Sequence, residues 1–352
     1  MIFICNNFRT MRKKSRKRIT KIFIGVVAIT LATAFFALQI WSGVSRPVTF
    51  VIKPGENVST VSARLLKQNL IISDSLFKFA VKFNGGKIQS GEYDIPRGTS
   101  AWKIASMFSR GRIATIKIVI PEGLTIQQIK KQLESTKELS GDVECGESLA
   151  WGAVCDLADG DVFPDTYRVA RGTNRLAVLD LAHKKMNAIK TKWMLARKNP
   201  PAPLKSWDDV LILASIVQKE TPKTSEMRIV ASVYLNRLRR GMRLQADPTV
   251  VYALTDGYGD MRGAPLLREH LKIDSPYNTY RNNGLPPAPI ANVGSYAIRA
   301  VLEPADTSYL FFVADGRGGH KFSVNYEDHI KHHSDWRKIK RQNNPEYEEA
   351  FK

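Results

Sequence analysis

Apolar positions change their spacing several times along this chain, and each change marks an element. Residues 22–45, IFIGVVAITLATAFFALQIWSGVS, run for 24 residues without a charge. That is long enough for a helix to cross a bilayer, which needs roughly 20 apolar residues. Val48–Ile52 reads as a strand and leads into a turn at Pro54-Gly55-Glu56-Asn57. Val61, Leu65, Leu66 and Leu70 then recur at helix spacing. A second helix is predicted over Asp74–Phe83, with Ser73 or Asp74 as its cap. Gly91–Ile95 reads as a short strand, and Thr99 or Ser100 caps a helix running through Phe108. Residues 116–135 echo the arrangement: a strand, Pro121-Glu122-Gly123, then a Thr125-capped helix carrying Ile126, Ile129 and Leu133. Beyond about Val162 helices dominate, at 175–196, 208–220 and 225–240, with loops of Pro, Gly and Asn between them. Phe311-Phe312-Val313-Ala314 reads as a buried strand, followed by a glycine-rich turn and a return strand with His320 and Phe322. The fold class expected is α+β: a single N-terminal transmembrane helix, a small α/β module, then a helix-rich domain with a small sheet.

Charge orients this plan. The first 21 residues hold eight Lys or Arg and no acid, so 1–21 is expected to be a cytoplasmic tail and 22–45 a transmembrane signal anchor. Everything after Ser45 then lies outside the cytoplasmic membrane. The alternative is a cleaved signal peptide, for which Ala32-Thr33-Ala34 offers the small-x-small site. The apolar run continues past that site through Phe35, Phe36, Leu38 and Ile40, which favours an anchor. The whole chain carries +20, and removing the eight tail cations leaves +12. A basic outer domain suits a polyanion-rich neighbourhood such as cell-wall polymer or lipid headgroups, and outside the membrane no nucleic acid is expected. A solvated surface with no specific partner carries such charge equally well.

Cys145 and Cys155 lie outside, ten residues apart, while Cys5 falls in the tail. An oxidising compartment permits a bridge between the outer pair, and two free thiols are the alternative. No CxxC or CxxH spacing points to a metal, and neither metal nor cofactor is expected.

The candidate chemistry centres on Leu213–Tyr252. The helix LILASIVQKE ends on Glu220, which at about 100° per residue shares a face with Val210, Leu213, Ile216 and Val217. A carboxylate at the end of an apolar stripe resists ionisation, so its pKa rises, as a general acid requires. A frayed last turn with a solvated Glu220 is the plainer reading. Pro222 follows, and Ser225 is expected to cap the next helix, which carries Val230, Val233, Tyr234 and Leu238. Asn236, Arg237, Arg239 and Arg240 leave that helix as a polar, basic cluster suited to sugars or acidic groups. Asp247 precedes Pro248 and is expected to be extended, with its side chain aimed. Gln245 and Asp247 are candidates to bind glycan hydroxyls and amides, and a turn-capping Asp is the alternative. Asn278, Tyr280 and Asp165 lie in aromatic and proline-bearing loops of similar character. Among motifs, no close carboxylate pair suggests a two-acid glycosidase, and no GxSxG, HExxH or P-loop occurs. A single-acid mechanism fits this inventory best.

Two resemblances sharpen the reading. The entry TFVIKPGENVSTVSARLLKQNLI with its β–α–α–β order resembles a LysM-like module over 48–117, a kind that binds N-acetylglucosamine-containing glycans. ASIVQKET, SVYLNRLRRGMRLQADPTVVY, YNTYRNNGLPPAPI and FVADGRGGHKFS, in that order, resemble the YceG-like endolytic murein transglycosylases over nearly the whole chain. That resemblance implies a catalytic domain over 118–345. It implies cleavage of nascent peptidoglycan between N-acetylmuramic acid and N-acetylglucosamine, leaving 1,6-anhydro ends and terminating glycan strands. It also implies contact with peptidoglycan synthases, the penicillin-binding proteins. The family's helix end usually reads ExE with the second Glu catalytic; here Gln218 and Glu220 hold those places, so the catalytic carboxylate is kept. Gln218 points about 160° from Glu220 on an ideal helix, so its missing charge is expected to matter little. Ala288 stands where the family often has Gly. Two rival functions remain: a non-catalytic, membrane-anchored peptidoglycan-binding scaffold, and a hydrolase of the same bond in which an Asp activates water.

Overall fold

A computed structural model describes residues 24–30, 32–33, 44–145, 149–196, 199–261 and 263–343. The basic tail and most of 22–45 lie outside the described residues; 24–30 and 32–33 are helical. No helix among the described residues is long and apolar enough to cross a membrane. The chain divides into two compact units, Met1–Ile116 and Lys117–Lys352.

The first unit is built on one antiparallel strand pair whose members are separated in the chain by two helices. Strand β1 (Val48–Ile52) lies antiparallel to β2 (Gly91–Ile95), with Phe50 opposite Tyr93. Alternation sends Phe50, Ile52, Tyr93 and Ile95 inward. Three helices cover that face: α1 (Val58–Lys67), α2 (Asp74–Phe83) and α3 (Ala101–Ser109). Asn57, Ser73 and Ser100 cap them, each accepting the backbone N–H three residues on. Phe108 is the hub of the core, 4.5 Å from the Tyr93 ring and 5.7 Å from Phe50.

The second unit begins within β3 (Thr115–Val119), which pairs with β4 (Thr166–Ala170). Between them come α4 (Ile126–Ser135), closed by a Thr125–Gln128 capping box, and a short 3-10 segment, Leu149–Asp156. Cys145 and Cys155 are bridged there, which settles the open pairing in favour of a local staple. After α5 (Arg175–Ala196) the core helices follow: α6 (Trp207–Glu220), α7 (Thr224–Arg239), α8 (Asp247–Leu254) and α9 (Ser295–Leu302). The hairpin β5 (Phe311–Ala314) and β6 (His320–Ser323) and helix α10 (Tyr326–Asn343) complete the unit. The architecture is α+β, with three two-stranded sheets among the described residues.

Helix α6 is the centre of this core. Its expected single apolar stripe is too narrow a description, because every residue from Val210 to Val217 is buried. A helix apolar all round is surrounded on all sides, and here Met227, Val230 and Tyr234 of α7 and Ile298 and Val301 of α9 belong to the same cluster. Ser215, its one hydroxyl, is used up by Ile212 O and the Ile290 N–H.

Candidate active site

Glu220 is the last residue of α6. The next residue, Thr221, is extended (φ −139°, ψ 130°), and Pro222 bars any continuation of the helix. The chain turns and returns as α7, which begins at Thr224 with Lys223 as an uncapped N-cap. Ser225, expected to cap it, lies inside the first turn instead, and the N-cap position makes no side-chain cap bond.

The return brings Tyr234 onto Glu220. The phenol donates to Glu220 Oε1 at 2.6 Å, and Tyr234 is 1% exposed. A buried tyrosine needs a partner for its hydroxyl, and here the partner is the candidate acid. Phe312 of β5 meets the Tyr234 ring edge-on at 5.8 Å, and His320 of β6 meets Phe312 edge-on at 5.3 Å. His320 Nδ1 lies 2.7 Å from Glu226 Oε2, and its backbone N–H donates to Glu226 Oε1 at 3.3 Å. The hairpin is thus fastened to α7 and backs the tyrosine that holds Glu220.

Burial pushes the Glu220 carboxyl up to about 7. The negative charge of Asp247 works in the same direction, while the Tyr234 hydrogen bond and the Arg237 guanidinium oppose both. Glu220 nevertheless keeps part of its surface open. A protonated carboxyl near neutral pH, desolvated but reachable, is the state a general acid needs.

Asp247 is not extended, as expected from Pro248, but is the first residue of α8, with Pro248 in the first turn. Proline suits a helix start because its missing N–H would be unpaired there anyway. The position aims Asp247 outward, where Tyr280 donates to its Oδ1 at 2.5 Å. Burial first, then the charges of Asp247 and Glu220, hold the Tyr280 phenol well above its usual range. Glu220, Asp247, Tyr280, Tyr234 and Arg237 therefore form one electrostatic group, although Asp247 lies 27 residues beyond Glu220 in the chain. Gln245 is exposed just before α8 and holds a left-handed backbone, φ 49°. A non-glycine residue there is strained and kept in place by its surroundings, here the Gln245 N–H bond to Thr279 O at 3.1 Å.

Other candidates belong to the frame. Asn278 is wholly buried; its amide donates to Leu271 O and Ile273 O and its oxygen accepts the Tyr280 N–H. It shapes the loop that presents Tyr280 and has no surface to offer a glycan. Asp165 pairs with Lys185 and accepts the Thr166 N–H at 2.6 Å, and none of its bonds reaches the Glu220 group. Three members of the basic cluster at the end of α7, Asn236, Arg237 and Arg239, are also structural, while Arg240 is exposed. Arg237 donates to Leu310 O and Leu244 O, both at 2.7 Å, and Asn236 donates to Thr307 O and Tyr309 O. Arg239 donates to Ala202 O and to Asn236 Oδ1. Guanidinium and amide donors spent on carbonyls are not free for acidic ligands.

Gln218 accepts the Gly294 N–H at 3.2 Å, at the start of α9. Ala288 takes no left-handed backbone, so its methyl is accommodated, whereas Gly284 in the same loop does need φ 84°. Two features escaped the sequence reading. One is the Tyr234–Glu220 bond. The other is the lock made by Thr249 and Thr279, whose hydroxyls meet at 2.9 Å while Thr279 accepts the Ala246 N–H at 3.0 Å. A concavity beside the disulfide, lined by Glu134, Asp142, Glu144 and Arg175, holds none of the Glu220 group.

A helix-elbow carboxylic acid with a buried tyrosine partner on an α+β scaffold is the class that fold and site define. Comparison with known proteins narrows it. The sequence pattern of the YceG-like family matches residues 50–335. An endolytic murein transglycosylase of Bacillus subtilis is 30% identical over 309 residues, covering 81% of this chain and 83% of that protein. An endolytic murein transglycosylase of Streptococcus pneumoniae is 27% identical over 358 residues, covering 87% of this chain and 63% of that one. A crystal structure of a YceG-like protein from Listeria monocytogenes superposes with a TM-score of 0.51 at 28% identity, covering 81% of this chain and 98% of that chain. The chain belongs to the YceG-like family.

Proposed function

We propose that this chain is an endolytic murein transglycosylase, and that Glu220 is its catalytic acid and base. The observation that carries this reading is the Glu220 carboxyl raised to about 7 and held by Tyr234 at 2.6 Å. Protonated Glu220 gives its proton to the glycosidic oxygen between N-acetylmuramic acid and N-acetylglucosamine, and that bond breaks with an oxocarbenium-like centre at muramic C1. The ionised Glu220 then takes the proton of the muramic C6 hydroxyl, whose oxygen bonds to C1 and closes the 1,6-anhydro ring. One carboxyl serves both steps, and water enters neither. Burial, aided by the charge of Asp247, keeps Glu220 protonated, and Gln245, Asp247 and Tyr280 orient the glycan.

The basic tail at 1–21 and the uncharged run at 22–45 support a single-pass anchor in the cytoplasmic membrane, with the catalytic unit on the outer side. In that place the enzyme acts on nascent strands and ends their elongation. Peptidoglycan synthases, the penicillin-binding proteins, are the partners that site of action requires, and the module at 48–117 binds glycan in the manner of LysM-like modules.

A second reading has one specific observation behind it: Asp247 brings another carboxylate into the field of Glu220. A hydrolase would use it to activate water. Mass spectrometry of digested glycan strands separates the readings. We expect 1,6-anhydro ends from the native chain and none from Glu220→Gln. Reducing ends would mean hydrolysis, and intact strands with the native chain would mean a binding scaffold.

A further inference from the structure

The first unit shows an aromatic surface that the reaction does not use. Helix α2 turns Phe79 and Phe83 outward one turn apart, 53% and 73% exposed. Their ring centres lie 6.2 Å apart, and Phe83 lies 5.6 Å from Trp102 of α3. Ile72, just before α2, is exposed as well. Contiguous exposed apolar surface of this kind marks an interaction site. Lys82 and Lys103, next to Phe83 and Trp102 in the chain, are exposed, and Asp74, the one acid of α2, is paired with Lys78. Residues 44–116 carry eleven Lys or Arg against four Asp or Glu.

The position of this surface identifies what covers it. The uncharged run ends at Ser45, yet Val44 is already part of the unit's core, 2% exposed, and its carbonyl accepts the Gly98 N–H at 2.9 Å. In the sequence, the uncharged run continues without interruption into the folded unit. Gly98 precedes Trp102 by four residues, which span about 14 Å even when fully extended. The rings therefore stand beside the point where the chain enters the unit. Their planes are tilted 38° and 51° to one another, so they make no flat platform for stacked sugar rings.

We infer that the Phe79–Phe83–Trp102 surface rests in the headgroup region of an anionic bilayer, with the lysines around it facing lipid phosphates. Aromatic rings settle at that depth, and neighbouring cations add attraction to anionic lipid. The tether keeps the local concentration high, so modest affinity suffices. The unit is thereby held against the membrane, and its reach is limited to glycan close to the bilayer. This inference rests on the membrane-anchor reading above.

The test uses the full chain in vesicles of phosphatidylethanolamine and phosphatidylglycerol, with and without bromine on the acyl chains near the headgroup. The emission of Trp102 is the difference between the native chain and Trp102→Phe. We expect bromolipid to cut that emission to roughly half, and the exposed-site pair Phe79→Ser with Phe83→Ser to restore it. Should Trp102→Phe unfold the unit, Phe83→Trp adds an emitter at an exposed position with the same expectation. Equal emission in both vesicles overturns the inference, as does a change produced by N-acetylglucosamine oligomers and not by bromolipid. Alkaline carbonate extraction in parallel separates the two readings: a chain that leaves the vesicles overturns the anchor and this surface with it. A chain that stays with Trp102 unquenched overturns the surface alone.

Discussion

On the proposed mechanism, Glu220→Gln separates two roles of this residue. Loss of the proton donor should lower the yield of anhydro ends by roughly 10²- to 10⁴-fold. The same change should stabilise the fold. Because burial raises the folded-state carboxyl to about 7, stability declines as pH rises from the usual carboxylate range to about 7, then levels. The neutral amide escapes that decline and can still accept from Tyr234. At pH 8 it should add roughly 1–3 kcal/mol of stability, read as a higher Tm; an unchanged or lower Tm would count against a buried acid. The two neighbours should move the pH profile in opposite directions. Tyr234→Phe removes a bond that favours the ionised carboxylate, so Glu220 holds its proton longer and the alkaline limb of activity shifts to higher pH. Asp247→Asn removes a negative charge, so that limb shifts to lower pH. Unmoved limbs in both variants would show that the group does not set the acid. Glu220 is legible in the sequence because a helical pattern ends on it. Its bond to Tyr234 is not, because a contact 14 residues apart depends on how the α6–α7 elbow folds.

At the scale of elements, the periodic segments are legible and their ends less so. The strands Val48–Ile52 and Gly91–Ile95 and the helix Arg175–Ala196 lie where alternation or helical spacing puts them, since burial on one face writes itself into the sequence. The start of α8 is misread because Pro248 suits both an extended neighbour and a helix start, and only the lock between Thr249 and Thr279 decides. Asn278, Arg237 and Asn236 mislead for a common reason. Polar side chains that satisfy buried carbonyls look in sequence like side chains waiting for a ligand. That difference can be measured. Asn278→Ala leaves two carbonyls and one N–H without their partner and should cost roughly 2–4 kcal/mol in urea unfolding. A variant with native stability and weakened glycan binding would return Asn278 to the substrate surface.

For the whole molecule, the charge of +12 that remains beyond the tail is a property of surface, and it acts at long range. Binding to isolated cell-wall sacculi should weaken steadily as salt rises, while the anhydro product from strands already bound should not change. Binding indifferent to salt would mean that the charge is only solvated surface. The bridge between Cys145 and Cys155 has a consequence of its own. Such a bridge is rare where reductants keep thiols open, so its state reports on the compartment that the chain occupies. Three cysteines are encoded and two are joined, which leaves Cys5 to answer a thiol reagent. Chain harvested from growing cells under denaturing conditions, without reductant, should bind one maleimide. On the proposed outward placement of the catalytic unit, chain still in the reducing compartment should bind three, so counting labels on each molecule tests that placement.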